Sequence, residues 1–280
     1  MKKYKLICFD LDGTFLTDDK TIPADNLRTV ESAAARGIYI VPSSGRIFTG
    51  IPTELKEAPY IRYYICGNGA LIYDKQEDAT LARAEIEPSL ALRLAEYMDT
   101  LPVIYDCYQD GMGYMSADMY AALEDWAPTA AMGTYMKRVR RPVPDLKKTL
   151  AERNRPVTKM QMHFHDLKER DRQLELIPKL FPELIATSSV INNIEMNSTA
   201  ATKGQAMKKL AALLDVDMPE VMAFGDGSND VDMIKAAGTG VVMANGIPAL
   251  LEMADVVAPE NNDSGVARVI ERLILSGDGV

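Results

Sequence analysis

The chain is short of cysteine, of positive charge and of long apolar runs. Its 280 residues include only three cysteines, Cys8, Cys66 and Cys107. An odd number without metal-ligand spacing argues against a disulfide framework and a structural zinc site. Two of the three sit in apolar, strand-like runs, so core thiols in a reducing compartment are expected. No segment approaches the roughly 18 consecutive apolar residues of a membrane helix. Lys2 and Lys3 precede Leu6-Ile7-Cys8-Phe9 in the manner of a signal peptide, but Asp10 interrupts the apolar stretch too early, and a cytoplasmic location is expected. With 31 Lys and Arg against 40 Asp and Glu, the formal net charge is -9. Neither a nucleic-acid backbone nor an anionic membrane would be attracted, and a small anion must be captured by local cations. There is also no internal repeat, low-complexity tract or long flexible linker.

What is present is an ordinary globular composition, 47% hydrophobic and 25% charged, in a chain long enough for one large domain or two smaller ones. The run Leu6 to Phe9 leads straight into Asp10-Leu11-Asp12-Gly13-Thr14. A buried strand leaving through a glycine-assisted turn can aim both carboxylates into one crevice, at the strand end where open α/β sheets bind ligands. Asp-x-Asp-Gly also occurs in ordinary turns and calcium loops. A calcium loop is excluded by spacing, because no series of oxygen ligands ending in Glu follows.

Helical composition over Pro23 to Arg36 ends at Gly37, and Ile38 to Val41 follows as a strand, which makes a βαβ unit. A second unit runs through Ile47 to Leu55 and reaches Tyr63 to Cys66, whose end carries Gly67-Asn68-Gly69. From about Glu85 the texture changes to a helix around Ser89 to Thr100 and short strands near Val103 to Tyr108 and Met160 to Phe164. The first pattern resumes near Asn192: helix Thr202 to Leu214, strand Val221 to Phe224, helix Asn229 to Ala237, strand Gly240 to Met243, and helix Gly265 to Leu275. The expectation is a doubly wound, mainly parallel Rossmann-like α/β core over residues 1–82 and 190–280, split by an inserted α+β cap over 83–189.

Three further junctions carry candidate chemistry. Gly225-Asp226-Gly227-Ser228-Asn229-Asp230 is a second acidic turn, and a few carboxylates completed by water and phosphate suit Mg²⁺; a helix N-cap is the bland alternative. Pro42-Ser43-Ser44-Gly45-Arg46 offers a hydroxyl, free backbone N–H groups and a cation at a helix start, which suits a phosphate but also reads as a serine cap. Lys203 opens a helix where a cation opposes the dipole, so an anionic partner would explain it; a solvated surface lysine is the alternative.

These four elements, in this order and each at a strand-to-helix junction, resemble the haloacid dehalogenase superfamily of phosphohydrolases. Gly67-Asn68-Gly69-Ala70, the Gly225 to Asp230 turn and Asp263-Ser264-Gly265-Val266-Ala267 resemble its Cof-type branch, which carries a large cap after the third core strand. Two departures are Val242-Met243-Ala244-Asn245-Gly246, where the branch typically has Gly before the Asn and Ala after it, and Ser44, where it often has Thr. The resemblance implies Asp10 as nucleophile and Asp12 as general acid and base. Ser44, Gly45 and Lys203 are implied as phosphate ligands. Mg²⁺ would be held by Asp10, the Asp12 backbone carbonyl and Asp226, with Asp230 supporting the shell. Candidate substrate contacts are Arg46, Asn68, Gln161, His163 and Asn229. The expected activity is a Mg²⁺-dependent phosphatase of a small phosphorylated metabolite, a sugar phosphate or phosphorylated cofactor. The alternatives are a phosphomutase of the same superfamily and a non-catalytic ligand-binding regulator.

Within the insert, Met160-Gln161-Met162-His163-Phe164-His165 alternates as a half-buried strand does. One face is expected in the core, and the polar face either roofs the active site or meets solvent. Lys137-Arg138 and Arg140-Arg141 read as a basic patch that meets substrate or, more commonly, a solvated loop. The methionines, Tyr105, Tyr108 and Trp126 are core candidates.

Overall fold

The computed structural model describes residues 4–188 and 190–276. Fourteen strands occur among them: β1 (Leu6–Phe9), β2 (Tyr39–Pro42), β3 (Tyr63–Cys66), β4 (Leu71–Asp74), β5 (Ala79–Arg83), β6 (Ile104–Gln109), β7 (Met112–Ser116), β8 (Arg140–Val143), β9 (Lys159–His163), β10 (Leu184–Thr187), β11 (Asn193–Ser198), β12 (Val221–Gly225), β13 (Thr239–Met243) and β14 (Val256–Ala258). The chain divides into two compact units. One comprises residues 4–45, Ile51–Ala82 and residues 202–276; the other comprises Arg46–Gly50 and Arg83–Ala201.

The first unit is the α/β core. Its five-stranded sheet has the order β14-β13-β12-β1-β2 and every pairing is parallel. β1 is interior, and all four of its residues are fully buried. That is why it reads as an unbroken apolar run and not an alternation. Leu6, Cys8, Val41, Ala223 and Val242 of the sheet share a core with Met207 and Leu210 of the helix Lys203–Leu213. β3 departs from the expected parallel continuation. It touches the sheet through one parallel bridge, Ser43 to Ile65, and otherwise pairs antiparallel with β4 in a separate sheet, β3-β4-β5.

The second unit is the inserted module. Its six-stranded sheet, β10-β11-β9-β6-β7-β8, is antiparallel except between β7 and β8. β11 pairs with both β9 and β10, so the insert extends to Ala201 and the core resumes at Thr202, not near residue 190 as expected. One sheet face carries Tyr105, Cys107, Met160, Met162, Ile194 and Met196, packed with Leu90, Leu94, Leu150 and Ile177 of the covering helices. This is the apolar half of the predicted alternation.

The polar half is neither free nor solvated. Asp106, Gln161 and Glu195 lie in one row across β6, β9 and β11, and all are buried. Arg140 Nε donates to Asp106 Oδ2 at 2.8 Å, Gln161 Nε2 donates to the same oxygen at 3.1 Å, and Lys159 pairs with Glu195 at 2.8 Å. Arg140 therefore leaves the expected basic patch, because a buried carboxylate across the sheet claims it. His163 is 3% exposed, whereas the alternation allowed it to face solvent. His165 lies beyond the strand end, exposed, and stacks on Trp126 with ring centroids 3.7 Å apart. All three cysteines are buried free thiols.

Candidate active site

The order of the core sheet fixes where chemistry can occur. From β1 the chain moves to β2 on one side, and on its return it adds β12, β13 and β14 on the other. The carboxyl ends of β1 and β12 therefore flank a topological switch point. Phe9 pairs with Phe224 across it, and the next N–H, that of Asp10, donates to the Phe224 carbonyl at 3.0 Å. Asp10 follows β1 and Asp226 follows β12, so parallel register alone brings the two acidic turns side by side.

The turn after Asp10 is tight. Phe15 and Leu16 both return N–H bonds to the Leu11 carbonyl, at 3.1 and 2.8 Å. Gly13 has φ +84°, and a Cβ there would lie 2.4 Å from Asp226 Oδ2, so both conformation and space demand glycine. The adjacent Thr14 hydroxyl donates to Asp226 Oδ1 at 2.6 Å. Opposite, Asp230 Oδ2 accepts from the N–H groups of Asp226 and Gly227, each at 3.0 Å.

Lys203 is fully buried. Its ammonium lies 2.6 Å from Asp10 Oδ1 and 2.6 Å from Asp230 Oδ1. These carboxylates are the anionic partners that its unfavourable place in the first helical turn required. The helix start is itself fixed: Thr202 caps it through Gln205 N–H, and the Gly204 N–H donates to Asp232. A Cβ on Gly69 would lie 2.2 Å from the Thr202 carbonyl.

One oxygen each from Asp10, Asp226 and Asp230 can lie within 4.8 Å of one another. The donors are all hard carboxylate oxygens, which fits a small divalent cation. Burial pushes the Asp226 carboxyl up to about 6, reinforced by the charge of Asp230 and opposed by the Thr14 hydrogen bond. Burial likewise raises Asp10, against Lys203 and with the neighbouring carboxylates. Lys203 is held above its ordinary value: burial alone would lower it, but Asp10 and Asp230 outweigh that. Three carboxylates around one ammonium leave the cluster short of positive charge.

The remaining candidates fall in several places. The Asp12 carboxylate lies outside the cluster, 37% exposed, and pairs with Lys20 at 3.0 Å. Ser44 is buried at the end of β2, but the expected free amides are taken: Ser43 N–H donates to Phe9 and Ser44 N–H to Ile65. No long helix begins there either, only a short turn at Phe48–Gly50 and the helix Thr53–Glu57. Gly45 ends its segment of the core, whereas Arg46 groups with the second unit, its guanidinium 5.2 Å from the Tyr135 ring. Asn229 Nδ2 donates to Asn68 Oδ1 at 3.1 Å, which joins those two candidates. Gln161 and His163 belong to the sheet of the second unit.

Sequence reasoning did not find Thr14, Lys20 or Asp232, and left Asn245 without a role. Asn245 Nδ2 donates to the Gly13 carbonyl at 2.8 Å. Thr14 and Asn245 had a signal, since both stand in motifs that were read; Lys20 and Asp232 look like any surface charge.

Residues 7–270 match the family model of haloacid dehalogenase-like hydrolases. The chain belongs to that family. Its relatives include YxeH of Bacillus subtilis, provisionally named a phosphatase, 32% identical over 98% of this chain and 99% of that protein. Another from the same organism is YcsE, named as a 5-amino-6-(5-phospho-D-ribitylamino)uracil phosphatase, 28% identical over 97% of this chain and 96% of that one. Among solved structures, TM0651 from Thermotoga maritima is 28% identical with a TM-score of 0.76, covering 96% of this chain and 97% of that one. A haloacid dehalogenase-like hydrolase from Bacteroides thetaiotaomicron is 25% identical with a TM-score of 0.82, covering 97% and 100%. Within the family this protein is a phosphatase of the Cof type.

Proposed function

We propose that the protein hydrolyses a small phosphorylated metabolite, a sugar phosphate or phosphorylated cofactor, through an aspartyl phosphate on Asp10 with Mg²⁺ bound. The observation that carries this reading is the buried Lys203 ammonium between Asp10 and Asp230, beside the cluster that Asp226 completes. In this reading Asp10 and Asp226 hold the ion together with the Asp12 backbone carbonyl. Asp230 supports the shell through the loop amides and Lys203. The ion would supply positive charge to the transferring phosphoryl group and its oxygens.

Asp10 attacks phosphorus, and Asp12 gives a proton to the departing oxygen. Asp12, now ionised, takes a proton from water, which attacks the same phosphorus, releases inorganic phosphate and restores Asp10. Lys203, the Ser44 hydroxyl and Gly45 bind the phosphoryl oxygens. The Asp12 carboxylate stands outside the buried cluster and within reach of water, and it must exchange the Lys20 ammonium, 3.0 Å away, for the proton that it gives to the departing oxygen.

Arg46, Asn68, Asn229, Gln161 and His163 are proposed to select the leaving group. Arg140 and Lys159 are already claimed by Asp106 and Glu195. With both charges so paired, a leaving group of hydroxyls is favoured over one that carries a second phosphate. The name of YcsE, whose stated substrate carries its phosphate on a polyhydroxylated chain, agrees with that preference.

The reading is tested by measuring phosphate released from a panel of sugar phosphates and phosphorylated cofactors, with Mg²⁺ or with chelator. Mg²⁺-dependent release supports it. Isomerised substrate with no free phosphate would indicate a mutase, and no reaction with any ester would leave the regulator reading.

A further inference from the structure

The turn between β13 and the short helix Pro248–Leu251 touches both acidic loops of the core. Asn245 Nδ2 donates to the Gly13 carbonyl at 2.8 Å, and Asn245 Oδ1 accepts from the Asn261 N–H at 3.1 Å. Two residues on, the Ile247 N–H donates to the Asp226 carbonyl at 2.9 Å. One four-residue turn thus holds the loop that carries Asp10 and the loop that carries Asp226. Gly246 permits this approach: a Cβ there would lie 2.8 Å from the Met243 carbonyl and 3.3 Å from the Asp226 carbonyl. The order Ala244-Asn245-Gly246 places its glycine where that space is needed.

The Gly13 end needs such a partner. Glycine is permissive at both backbone torsions, and the peptide after Gly13 is held on its other side by a long bond from the Thr14 N–H to the Leu11 carbonyl, 3.4 Å, so the shorter Asn245 bond has a direct part in fixing it. The same loop is pinned further along, where Asn261 Nδ2 donates to the Leu16 carbonyl at 2.9 Å and Asn26 Nδ2 to the Phe15 carbonyl at 3.0 Å. Asn245 is the member of this group that reaches the peptide between Asp12 and Thr14.

We propose that Asn245 is a positioning residue that locks the nucleophile loop to the metal loop: it fixes the Gly13 carbonyl, and through it the Thr14 hydroxyl on Asp226 and the direction of the Asp12 backbone. This rests on the proposed phosphoryl transfer only for its effect on rate; the geometry that it sets is a property of the cation cluster itself. Asn245 is exposed and fills no core space, so its removal leaves the fold intact.

The test compares Asn245→Ala and Asn245→Asp with the wild type, by calorimetric titration of Mg²⁺ without substrate and by steady-state kinetics. Aspartate keeps the acceptor for Asn261 N–H and loses the donor to Gly13. Both variants are expected to melt within about 3 °C of wild type and to bind Mg²⁺ about fivefold more weakly, the equivalent of one hydrogen bond. Both should lose about 30-fold in kcat with little change in KM, as a misplaced reacting group does. Wild-type Mg²⁺ affinity in Asn245→Ala would overturn the proposal, and so would an Asn245→Asp variant indistinguishable from wild type. A kcat loss matched by loss of folded protein would overturn it too, because the role would then be structural. If the wild type released no phosphate at all, the proposed function would fail, and the calorimetric arm would still decide the role of Asn245.

Discussion

Lys203 Nζ and Asp10 Oδ1 stand 2.6 Å apart, although 193 residues separate them in the chain and a whole inserted module lies between. The ammonium is fully buried and shared with Asp230. A carboxylate that must attack a phosphate dianion needs such a neighbour, since the cation offsets repulsion in a site that water cannot screen.

Lys203→Met should therefore be damaging twice over. It strands Asp10 and Asp230 as buried carboxylates without their cation, at a cost of about 3–5 kcal/mol. It should also lower kcat/KM by about 10³-fold, the scale of losing one preorganised charge at a reacting group. Lys203→Arg should recover stability better than rate, because a planar fork cannot reproduce one point charge between two oxygens. Thermal melts and steady-state kinetics on both variants check this, and a Lys203→Met protein as active as wild type would refute it.

Mg²⁺ should stabilise the protein more at pH 8 than at pH 5. Asp226 is raised from 3.8 to about 6 in the fold, so between those values the folded state binds more protons than the unfolded one, and this group's contribution to stability falls as pH rises. The deficit is fully present once Asp226 is ionised, above about 6, where a dication beside it relieves the charge. Below that pH, protons compete with the metal. Melting temperatures with and without Mg²⁺ at the two pH values give the difference directly; an equal shift at both would contradict the assignment.

Gly69→Ala should lower activity from a position with no reactive group. Its φ is +100°, and the added Cβ would meet the Thr202 carbonyl at 2.2 Å, just before Lys203. The strain and the clash together should cost about 2 kcal/mol or more. Whatever movement relieves them displaces the start of the lysine helix. Activity that falls further than the folded fraction is the expected signature, measured by kcat alongside a denaturant titration.

His163 should take no part in proton transfer. Burial, helped by the charges of Arg140 and Lys159, holds its imidazole down to about 3, so the ring is neutral throughout the working range. His163→Gln should leave the shape of the pH–rate profile unchanged between pH 5 and pH 9 while weakening kcat/KM for the preferred metabolite more than for para-nitrophenyl phosphate. A displaced acidic limb, or equal losses on both substrates, would contradict this.

The core was legible because its signals are local. Leu6 to Phe9 reads as buried on both faces since it is buried on both faces, and Gly13 and Gly225 mark turns where a Cβ would strike Asp226 and Asp230. What the sequence hid depends on distant partners. Residues 140 and 141 look alike in sequence, yet Arg140 is buried because Asp106, 34 residues earlier, lies across the sheet. The insert was expected to stop at 189, and what moves its end to Ala201 is the pairing of Asn193–Ser198 with β9 and β10. The amides of Ser43 and Ser44 looked available until Phe9 and Ile65 were found to accept them. Asp12 and Asp10 are two residues apart, but only Asp10 enters the buried cluster.

The covalent step on Asp10 is the centre of this account, and it is most directly observed in Asp12→Asn, where Asp10 can still attack but no carboxylate activates water. Mixed with Mg²⁺ and para-nitrophenyl phosphate, whose leaving group needs little protonation, this variant should release a burst of about one nitrophenol per site. Acid quench and borohydride reduction should then convert Asp10, and no other aspartate, to homoserine, as read by peptide mass spectrometry, with Asp10→Asn giving neither burst nor conversion. Mg²⁺-dependent turnover by the wild type, with Asp10 unmodified in every quenched sample or with full activity retained in Asp10→Asn, would contradict the account.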